Sequence, residues 1–446
     1  MLPYCAIDFG TSNSAIALPH NDGVRLVELE AGQRTMPTAV FYSVEGLAPH
    51  EDPQRHYGRA AVAAYVEGIE GRLMRSMKSI LGSTLADQAT EVGAGRSVRY
   101  LDVVTSYLRR LKTLAERDAG HTLTRAVLGR PVFFVDDDDE RDAKAQSVLA
   151  EAAHDVGFDE ISFQYEPIAA ALDYETTIDR EQLVLVADIG GGTSDFSLVR
   201  VGPQRRQRLD RRDDILANHG VHIAGTDFDR HVALGHILPT CGFGGRGPTG
   251  REVPSKVYYD LATWHLINTV YAPARVAELR QMKSFYSDLQ QHRRLLTVVN
   301  EQLGHALIGR AEAAKIAVAE SRRGTRDDGQ ADARDARDAS EAGAEQHINL
   351  DLIEAGLTAR LDERSTLAAL DADLQRIVRT ADETLAQAGL AHERVDALYF
   401  TGGSTGFTPL TERIAARFPN AGVRRGDRFA SVAQGLGVHA RRLFGH

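Results

Sequence analysis

The chain has 446 residues, of which 43% are hydrophobic and 26% charged, a balance typical of a globular protein large enough for more than one core. A formal net charge of -10 gives it no general positive field, so nucleic acid and anionic membrane surfaces are not expected partners. Cys5 and Cys241 are the only cysteines, no apolar run approaches the roughly 20 residues of a membrane span, and no signal peptide precedes the first strand, so we expect a cytoplasmic protein without a disulfide framework.

The amino-terminal part predicts a β-hairpin. An apolar strand over residues 4–9 reaches a tight turn at Gly10, and a second strand follows over residues 14–18. The next predicted elements are strand-like stretches at residues 24–29 and 38–43, and then charged, alanine-rich segments with helical spacing from about residue 60 to residue 116.

The middle of the chain alternates between helix and strand, which is the pattern of α/β lobes. The alternation runs through residues 126–135, 140–156, 161–165 and 183–189. A run of arginines follows, from Arg205 to Arg212, and neighbouring aspartates offset its charge. We interpret this run as a solvated loop.

The carboxyl-terminal part predicts helices interrupted by one insertion. Apolar residues recur at helical spacing over residues 278–322, which predicts long helices. Residues 324–346 break the pattern with repeated Asp, Arg, Ala and Gly, which predicts a mobile surface insertion. The remaining predicted elements are a helical stretch through Ala388, a strand at 395–400, a glycine-rich turn, and helices at 409–418 and 430–443.

The most informative feature is an approximate internal repeat with a period of 180 residues. Ala-Ile-Asp-Phe-Gly-Thr-Ser at residues 6–12 recurs as Val-Ala-Asp-Ile-Gly-Gly-Gly-Thr-Ser at residues 186–194. The period is too long for a solenoid and suits two duplicated lobes.

Each copy of the repeat has the chemistry of a phosphate-binding hairpin. Glycines after an apolar strand let backbone N–H groups approach a phosphate, and hydroxyls can donate to its oxygens. Asp8 and Asp188 would hold a bridging Mg²⁺, through the water molecules that this ion retains. The candidate phosphate-binding residues are Gly10, Thr11 and Ser12 in the first hairpin and Gly190, Gly191, Gly192 and Thr193 in the second.

A third glycine turn, at Gly402, Gly403 and Ser404, stands between an apolar strand and a helix. The unshielded backbone of such a turn can support a nucleotide. The same glycines would also serve a simple strand-to-helix turn that needs a positive φ. Beside the two hairpins, the nucleotide interpretation is favoured.

These three segments, in this order, resemble the ATPase domain of the seventy-kilodalton heat-shock chaperones (DnaK type). The resemblance extends to the lysine-containing segment at residues 76–82, to Glu-Pro-Ile-Ala-Ala-Ala at 166–171 and to Ile-Ala-Gly-Thr-Asp-Phe-Asp at 223–229. It implies the two-lobed α/β fold of actin, hexokinase and the heat-shock ATPases, built from duplicated ribonuclease-H-like domains with a nucleotide cleft between the lobes.

The resemblance also implies catalytic roles. Lys78 would direct its charge toward the γ-phosphate and the attacking water, where charge develops during phosphoryl transfer. Glu166, Asp188 and Asp195 would orient the water and the metal shell. Without the resemblance, an exposed lysine, a helix-capping glutamate and a satisfied strand aspartate would be the favoured interpretations.

For the nucleoside, the resemblance implies contacts from Gly225, Glu312 and Lys315. The spacing of the last two puts them on one helix face, although a surface ion pair is the commoner meaning of Glu-x-x-Lys. Three positions depart from the family pattern: Ile316, Ala319 and Gly406 replace an arginine, a serine and an arginine. Because two planar cations are missing from the expected base pocket, base selectivity is left open.

The resemblance divides the chain into three parts. Lobe I is expected at 1–180 with a smaller subdomain at about 30–110, lobe II at 181–395 with a smaller subdomain at about 225–310, and residues 396–446 are expected to complete the cleft and return to lobe I. Since the chain ends soon after this segment, we expect no β-rich peptide-binding domain, an organisation similar to the short YegD-like ATPases.

The function predicted from the sequence is ATP binding and slow Mg²⁺-dependent hydrolysis, in a chaperone or nucleotide-driven switch with ATP/ADP and Mg²⁺ as cofactors. Expected partners are the nucleotide and a client protein, co-chaperone or exchange factor. Two alternatives stay open: a small-molecule kinase of the same fold, and an actin-like filament or assembly ATPase. Acceptor-dependent ADP release would identify the first, and nucleotide-dependent light scattering the second.

Overall fold

The computed structural model describes residues 3–21, 23–48, 51–81, 88–135, 138–327, 346–427 and 430–445. The chain forms two compact units. The larger unit consists of Met1–Val221, Thr380–Thr405 and Ala415–His446, and the smaller unit of His222–Arg379 and Gly406–Ile414. The expected boundaries at residues 180 and 395 follow the duplication and stay a prediction.

The strands, in chain order, are β1 (Tyr4–Phe9), β2 (Asn13–His20), β3 (Gly23–Leu26), β4 (Thr35–Pro37), β5 (Ala39–Ser43), β6 (Gln54–Tyr57), β7 (Gly71–Arg75), β8 (Ala89–Gly93), β9 (Arg96–Arg99), β10 (Arg125–Arg130), β11 (Glu160–Tyr165), β12 (Gln182–Ile189), β13 (Ser194–Val201), β14 (Ile215–Val221), β15 (Gln346–Asn349), β16 (Thr358–Leu361), β17 (Ala397–Thr401) and β18 (Gly422–Arg425).

The α-helices are α1 (Gly58–Val66), α2 (Tyr100–Ala119), α3 (Asp139–Asp155), α4 (Glu166–Thr176), α5 (Gly225–Val232), α6 (Lys256–Ala262), α7 (Pro273–Gln281), α8 (Leu289–Asn300), α9 (Gly304–Asp327), α10 (Glu363–Gln387), α11 (Thr408–Ala415) and α12 (Ser431–Phe444). Among the described residues, no helix combines the length and apolar character needed to cross a membrane.

The larger unit contains two mixed sheets with the same strand order. One runs β3-β2-β1-β10-β11, with β4 paired to β2, and the other runs β14-β13-β12-β17-β18. In both sheets the first three strands in sequence are antiparallel neighbours and the last two join in parallel. This shared topology is the structural form of the repeat that the sequence predicts.

The core between the two sheets is built around α4 and α12. Ala6 and Val127 from the first sheet, Val186 from the second, Ala170 from α4 and Leu436 from α12 are all buried in one apolar cluster. Burial of both faces explains why β1, β10 and β12 have nearly continuous apolar sequences. The carboxyl ends of β1 and β12, where the predicted hairpins begin, are thereby fixed by a shared core.

The helical prediction for residues 60–116 is wrong in part. Helices α1 and α2 lie at its ends, but β7, β8 and β9 lie between them. Strand β7 pairs with β5, and β8 forms a hairpin with β9. The partner of β7 lies outside the segment predicted as helical, so local spacing does not reveal this pairing, whereas β8 and β9 pair with each other across a short turn.

Two other predicted boundaries also change. The strand predicted over 126–135 ends at Arg130, because Pro131 cannot donate to a strand ladder. Residues 324–327 of the predicted insertion continue α9, and Gln346 begins β15. The rest of the insertion, residues 328–345, lies outside the described residues.

Candidate functional site

The first predicted phosphate hairpin joins β1 to β2 through a four-residue turn between the register partners Phe9 and Ser14. A Cβ atom at Gly10 would lie 2.2 Å from the carbonyl oxygen of Asn13. Glycine at this position therefore allows a turn that a side chain would block.

Thr38, between β4 and β5, holds this turn in place. Its backbone N–H donates to the carbonyl of Ser12 at 2.9 Å, and its hydroxyl donates to the carbonyl of Gly10 at 2.7 Å. Both bonds fix the segment that contains Thr11 without any ligand. Thr38 is not among the site residues predicted from the sequence, and the signal that could have found it is a hydroxyl residue between two apolar strands, directly after Pro37.

The second predicted hairpin repeats this arrangement between β12 and β13. Its last register partners are Ile189 and Ser194. The N–H of Gly190 donates to the carbonyl of Thr193 at 3.0 Å and closes the turn. The four residues of this turn are Gly190, Gly191, Gly192 and Thr193.

The third glycine turn is bonded to the second hairpin. The hydroxyl of Ser404 donates to the carbonyl of Gly190 at 2.6 Å. Gly402 has a φ of +88°, and a Cβ atom there would lie 2.6 Å from Oδ1 of Asp188. The backbone conformation and the close approach to the carboxylate both require glycine at this position.

Asp8 and Asp188 occupy equivalent positions near the ends of β1 and β12. Both are partly exposed, although protein atoms surround their carboxylates. Burial, with the charges of Glu166 and Asp188, raises the pKa of Asp8 well above its ordinary value, and Lys78 partly opposes this rise. Burial, with the charges of Asp195 and Glu166, raises the pKa of Asp188 to about 7. The two carboxylates therefore form a pair whose ionisation a cation would favour.

Lys78 and Glu166 form an ion pair beside these aspartates. The Lys78 ammonium donates to Oε1 of Glu166, and the lysine is only 8% exposed. Lys78 lies in a short 3-10 helix, Met77–Ile80, and Glu166 is the first residue of α4. Pro167 follows it, as is common in the first turn of a helix. The interpretation of Lys78 as an exposed lysine is therefore wrong.

Gly129 makes room for the Glu166 side chain at the end of β10. A Cβ atom at this glycine would lie 3.3 Å from both Cγ and Oε1 of Glu166, and 3.0 Å from Cδ1 of Leu436. These distances are tighter than ordinary packing, so a side chain at position 129 would displace the glutamate.

Asp195 lies directly across the second hairpin from Asp188, as its register partner. It is exposed, and on the neighbouring strand a Cβ atom at Gly220 would lie 2.4 Å from its Oδ1. Asp195 is thus an exposed carboxylate opposite Asp188, and Gly220 leaves the space that this carboxylate occupies.

The predicted nucleoside residues lie in the smaller unit. Gly225 begins α5, and Lys315 and Glu312 lie on α9. The Lys315 ammonium is 3.4 Å from the carbonyl of Gly225 and 2.5 Å from Oδ1 of Asp229, which is mostly buried with it. Burial raises the pKa of Asp229 to about 6, against the lowering effect of Lys315. Glu312 is exposed one turn before Lys315.

The positions that depart from the family pattern have different environments. Ile316 is one of the most exposed large hydrophobic residues that the structure describes, with 46% of its surface accessible. Ala319, three residues further along α9, is buried in the packing of the smaller unit. Of these two positions on α9, Ile316 is the one that is exposed.

The carboxylates near Asp8 suit a metal ion that keeps most of its water ligands. Within the described ranges, no group of three or more His, Cys, Asp or Glu side chains is arranged to hold a metal ion. Mg²⁺ is commonly bound through one or two carboxylates together with phosphate oxygens and water. The raised pKa values of Asp8 and Asp188 mean that a nearby cation would stabilise their ionised forms. Two such carboxylates fit Mg²⁺ that accompanies a polyphosphate.

The predicted site residues thus fall into two groups. Those of the smaller unit are Gly225, Glu312 and Lys315. Those of the larger unit are Asp8, Gly10, Thr11, Ser12, Lys78, Glu166, Asp188, Gly190, Gly191, Gly192, Thr193, Asp195, Gly402, Gly403 and Ser404.

Comparison with known proteins identifies the family. The family model described as Hsp70 protein matches residues 4–238, which is more than half of the chain. This stretch contains both hairpins, the Lys78 and Glu166 pair, and Gly225. Proteins of that family bind ATP, act as Mg²⁺-using ATPases and chaperones, and have the actin, hexokinase and heat-shock ATPase fold, with which the two sheets described above agree. The chain therefore belongs to the Hsp70 family.

Proposed function

We propose that the protein binds MgATP through its two hairpins and hydrolyses it slowly to ADP and phosphate. The observation that carries the proposal is that the Lys78 and Glu166 ion pair lies beside Asp8 and Asp188, near the ends of β1 and β12. The charges of Lys78 and Glu166 act on the pKa of both aspartates, so the four side chains belong to a single electrostatic site.

Each residue has a role that suits its surroundings. Because glycine has no side chain, a phosphate can approach the backbone of both hairpin turns, and the proposal is that turn N–H groups other than that of Gly190 donate to its oxygens. The Lys78 ammonium, buried beside Glu166, supplies positive charge where the γ-phosphate would carry negative charge. Glu166 can accept a hydrogen bond from a water molecule and orient it for attack.

Mg²⁺, when bound with the nucleotide, neutralises charge on the phosphate oxygens. Asp8 and Asp188 would hold its shell, with Asp195 orienting water near Asp188. Gly225, Glu312 and Lys315 are the proposed nucleoside contacts, and Gly402, Gly403 and Ser404 the proposed support for the nucleotide.

We further propose that ATP binding and hydrolysis change the affinity for a protein partner, such as a client, co-chaperone or exchange factor. The similarity of the segments at residues 129–132, 163–167, 201–204 and 312–316 to short YegD-like ATPases supports placement in that branch. A partner that binds only the ATP state would stimulate or arrest turnover.

The experiment is thermal unfolding with ATP, ADP or GTP, each with and without Mg²⁺. A ligand that binds the native state raises the melting temperature by mass action. We expect a Mg²⁺-dependent rise with ATP that the double variant Asp8→Asn with Asp188→Asn loses. ADP release measured on the same samples should fall in parallel.

A matched control is Asp260→Asn, which changes a buried aspartate of the smaller unit paired with Lys256. This variant should keep the full ATP-dependent shift. An equal shift in the double variant, or no shift of the wild type with any nucleotide, would reject the proposal. Turnover that requires an added sugar or acetate would support the kinase alternative instead.

A further inference from the structure

Two buried polar side chains meet beneath the start of α4. Gln164 lies in β11, two residues before Glu166, and His439 lies in the last helix, α12. Each is only 3% exposed, and Nε2 of Gln164 is 3.1 Å from Nδ1 of His439. Leaving two buried polar groups without a hydrogen bond would lower the stability of the folded state, so we interpret this contact as a hydrogen bond.

The orientation of the glutamine amide follows from its second bond. Oε1 of Gln164 accepts the backbone N–H of Tyr165 at 2.8 Å, inside the corner that leads from β11 to α4. Nε2 is therefore the atom that faces His439, and an amide nitrogen can only donate. Nδ1 of His439 must then be the acceptor.

His439 is consequently a neutral imidazole with its proton on Nε2. Its surroundings agree, because burial and the charges of Arg442 and Arg211 lower the pKa of His439 to about 4. At neutral pH the ring keeps the lone pair that the glutamine needs.

The structure assigns His439 as a positioning residue for Glu166. Its ring accepts a hydrogen bond from the Gln164 amide, and the amide oxygen accepts the N–H of Tyr165. These two linked bonds fix the corner from which the Glu166 side chain extends. This inference rests on the proposed function, because it gives Glu166 a part in ATP hydrolysis. Apolar packing alone would leave the corner free to shift, and a small misplacement of a group that orients water slows the reaction.

The test separates nucleotide binding from turnover. His439→Leu removes the acceptor, while His439→Asn places a side-chain carbonyl near the position of Nδ1. We expect His439→Leu to lower the single-turnover rate of bound ATP by roughly tenfold, with a Kd for MgATP within about threefold of the wild type by calorimetry. His439→Asn should restore most of the rate.

A matched control is His292→Leu, since His292 is 4% exposed in the smaller unit and its Nε2 bonds the backbone carbonyl of Leu279 at 2.9 Å. It should change stability without changing turnover. If His439→Leu does not fold, Gln164→Met breaks the same link with a side chain of similar size and should give the same rate loss.

The outcomes are distinguishable. A wild type that binds but never hydrolyses ATP defeats the proposed function itself. Wild-type turnover that His439→Leu and Gln164→Met leave unchanged, or a rate that His439→Asn does not recover, overturns the positioning role alone. A long-range ¹H–¹⁵N NMR spectrum showing protonated Nδ1 in the wild-type His439 would also overturn it.

Discussion

The carboxylates of Asp8 and Asp188 show how single residues in the site are held at a cost to stability. Each is almost fully ionised in an unfolded chain at neutral pH, whereas burial and neighbouring negative charges favour the protonated form in the folded state. The native protein therefore binds more protons than the unfolded chain above about pH 4. Stability must fall as the pH rises through this window toward about pH 8, the higher of the two native pKa values.

Asp188→Asn should relieve this cost. We expect the variant to gain roughly 1–3 kcal/mol in the free energy of unfolding at pH 8 relative to the wild type. The gain should shrink as the pH falls toward 4.5, where the native aspartate is protonated. Urea unfolding of the nucleotide-free proteins across this range measures it, and a difference that is independent of pH would contradict the prediction.

Among the elements, α12 is adapted to pack closely against α4 and the first sheet. Gly435 lies in the middle of this helix, where glycine costs about 1 kcal/mol relative to alanine. A Cβ atom at Gly435 would lie 1.9 Å from the carbonyl oxygen of Ala169, so the close approach of the two helices depends on it. The neighbouring Gly437 similarly faces Ala17 of β2, whose Cβ would lie 2.9 Å from an added Cβ.

Gly435→Ala should therefore destabilise the protein by about 1–3 kcal/mol, because overpacking outweighs the better helix propensity. The control is Gly309→Ala in α9, where an added Cβ meets nothing within 4 Å and should stabilise by about 0.5–1 kcal/mol. Chemical denaturation of both variants measures the two signs. A stabilising Gly435→Ala would mean that α12 and α4 are not in close contact.

At the scale of the whole molecule, a buried ion network ties the second sheet to α4. Arg211, in the connection between β13 and β14, is 2% exposed and donates to Glu175 near the end of α4 at 2.9 Å. It also pairs with Asp214, and both carboxylates are fully buried. The prediction of a solvated loop for the arginine run is thus wrong for Arg211. A second arginine of the run, Arg206, also bonds to α4, because it donates to the carbonyl of Glu175 at 2.8 Å.

Arg211→Met should cost about 3–5 kcal/mol, because it leaves the carboxylates of Glu175 and Asp214 buried without this partner. Arg212→Met, which changes the exposed neighbouring arginine, should stay within about 0.5 kcal/mol of the wild type. Thermal and urea unfolding provide the measurement. Equal stability of the two variants would mean that the network contributes nothing to the fold.

Sequence patterns predicted the elements whose signals are local. The strand that contains Asp8, the hairpin glycines and the duplicate at Asp188 follow from apolar runs and from glycine chemistry within a few residues, and the structure has them. Strand β7 was missed because its partner β5 lies outside the segment with helical spacing, and the β8–β9 hairpin was missed although its two strands are close in sequence. The catalytic roles of these residues remain predictions.

The sequence by itself determined the duplication, the two glycine-rich hairpins and the family, because each depends on residues close together in a recognisable order. Only the tertiary structure decided that Lys78 pairs with Glu166, that Thr38 braces the first hairpin, and that Arg211 is buried. The physical reason is that burial and hydrogen-bond partners decide the role of a charged or hydroxyl side chain. Those partners lie up to 275 residues away, as for Gln164 and His439.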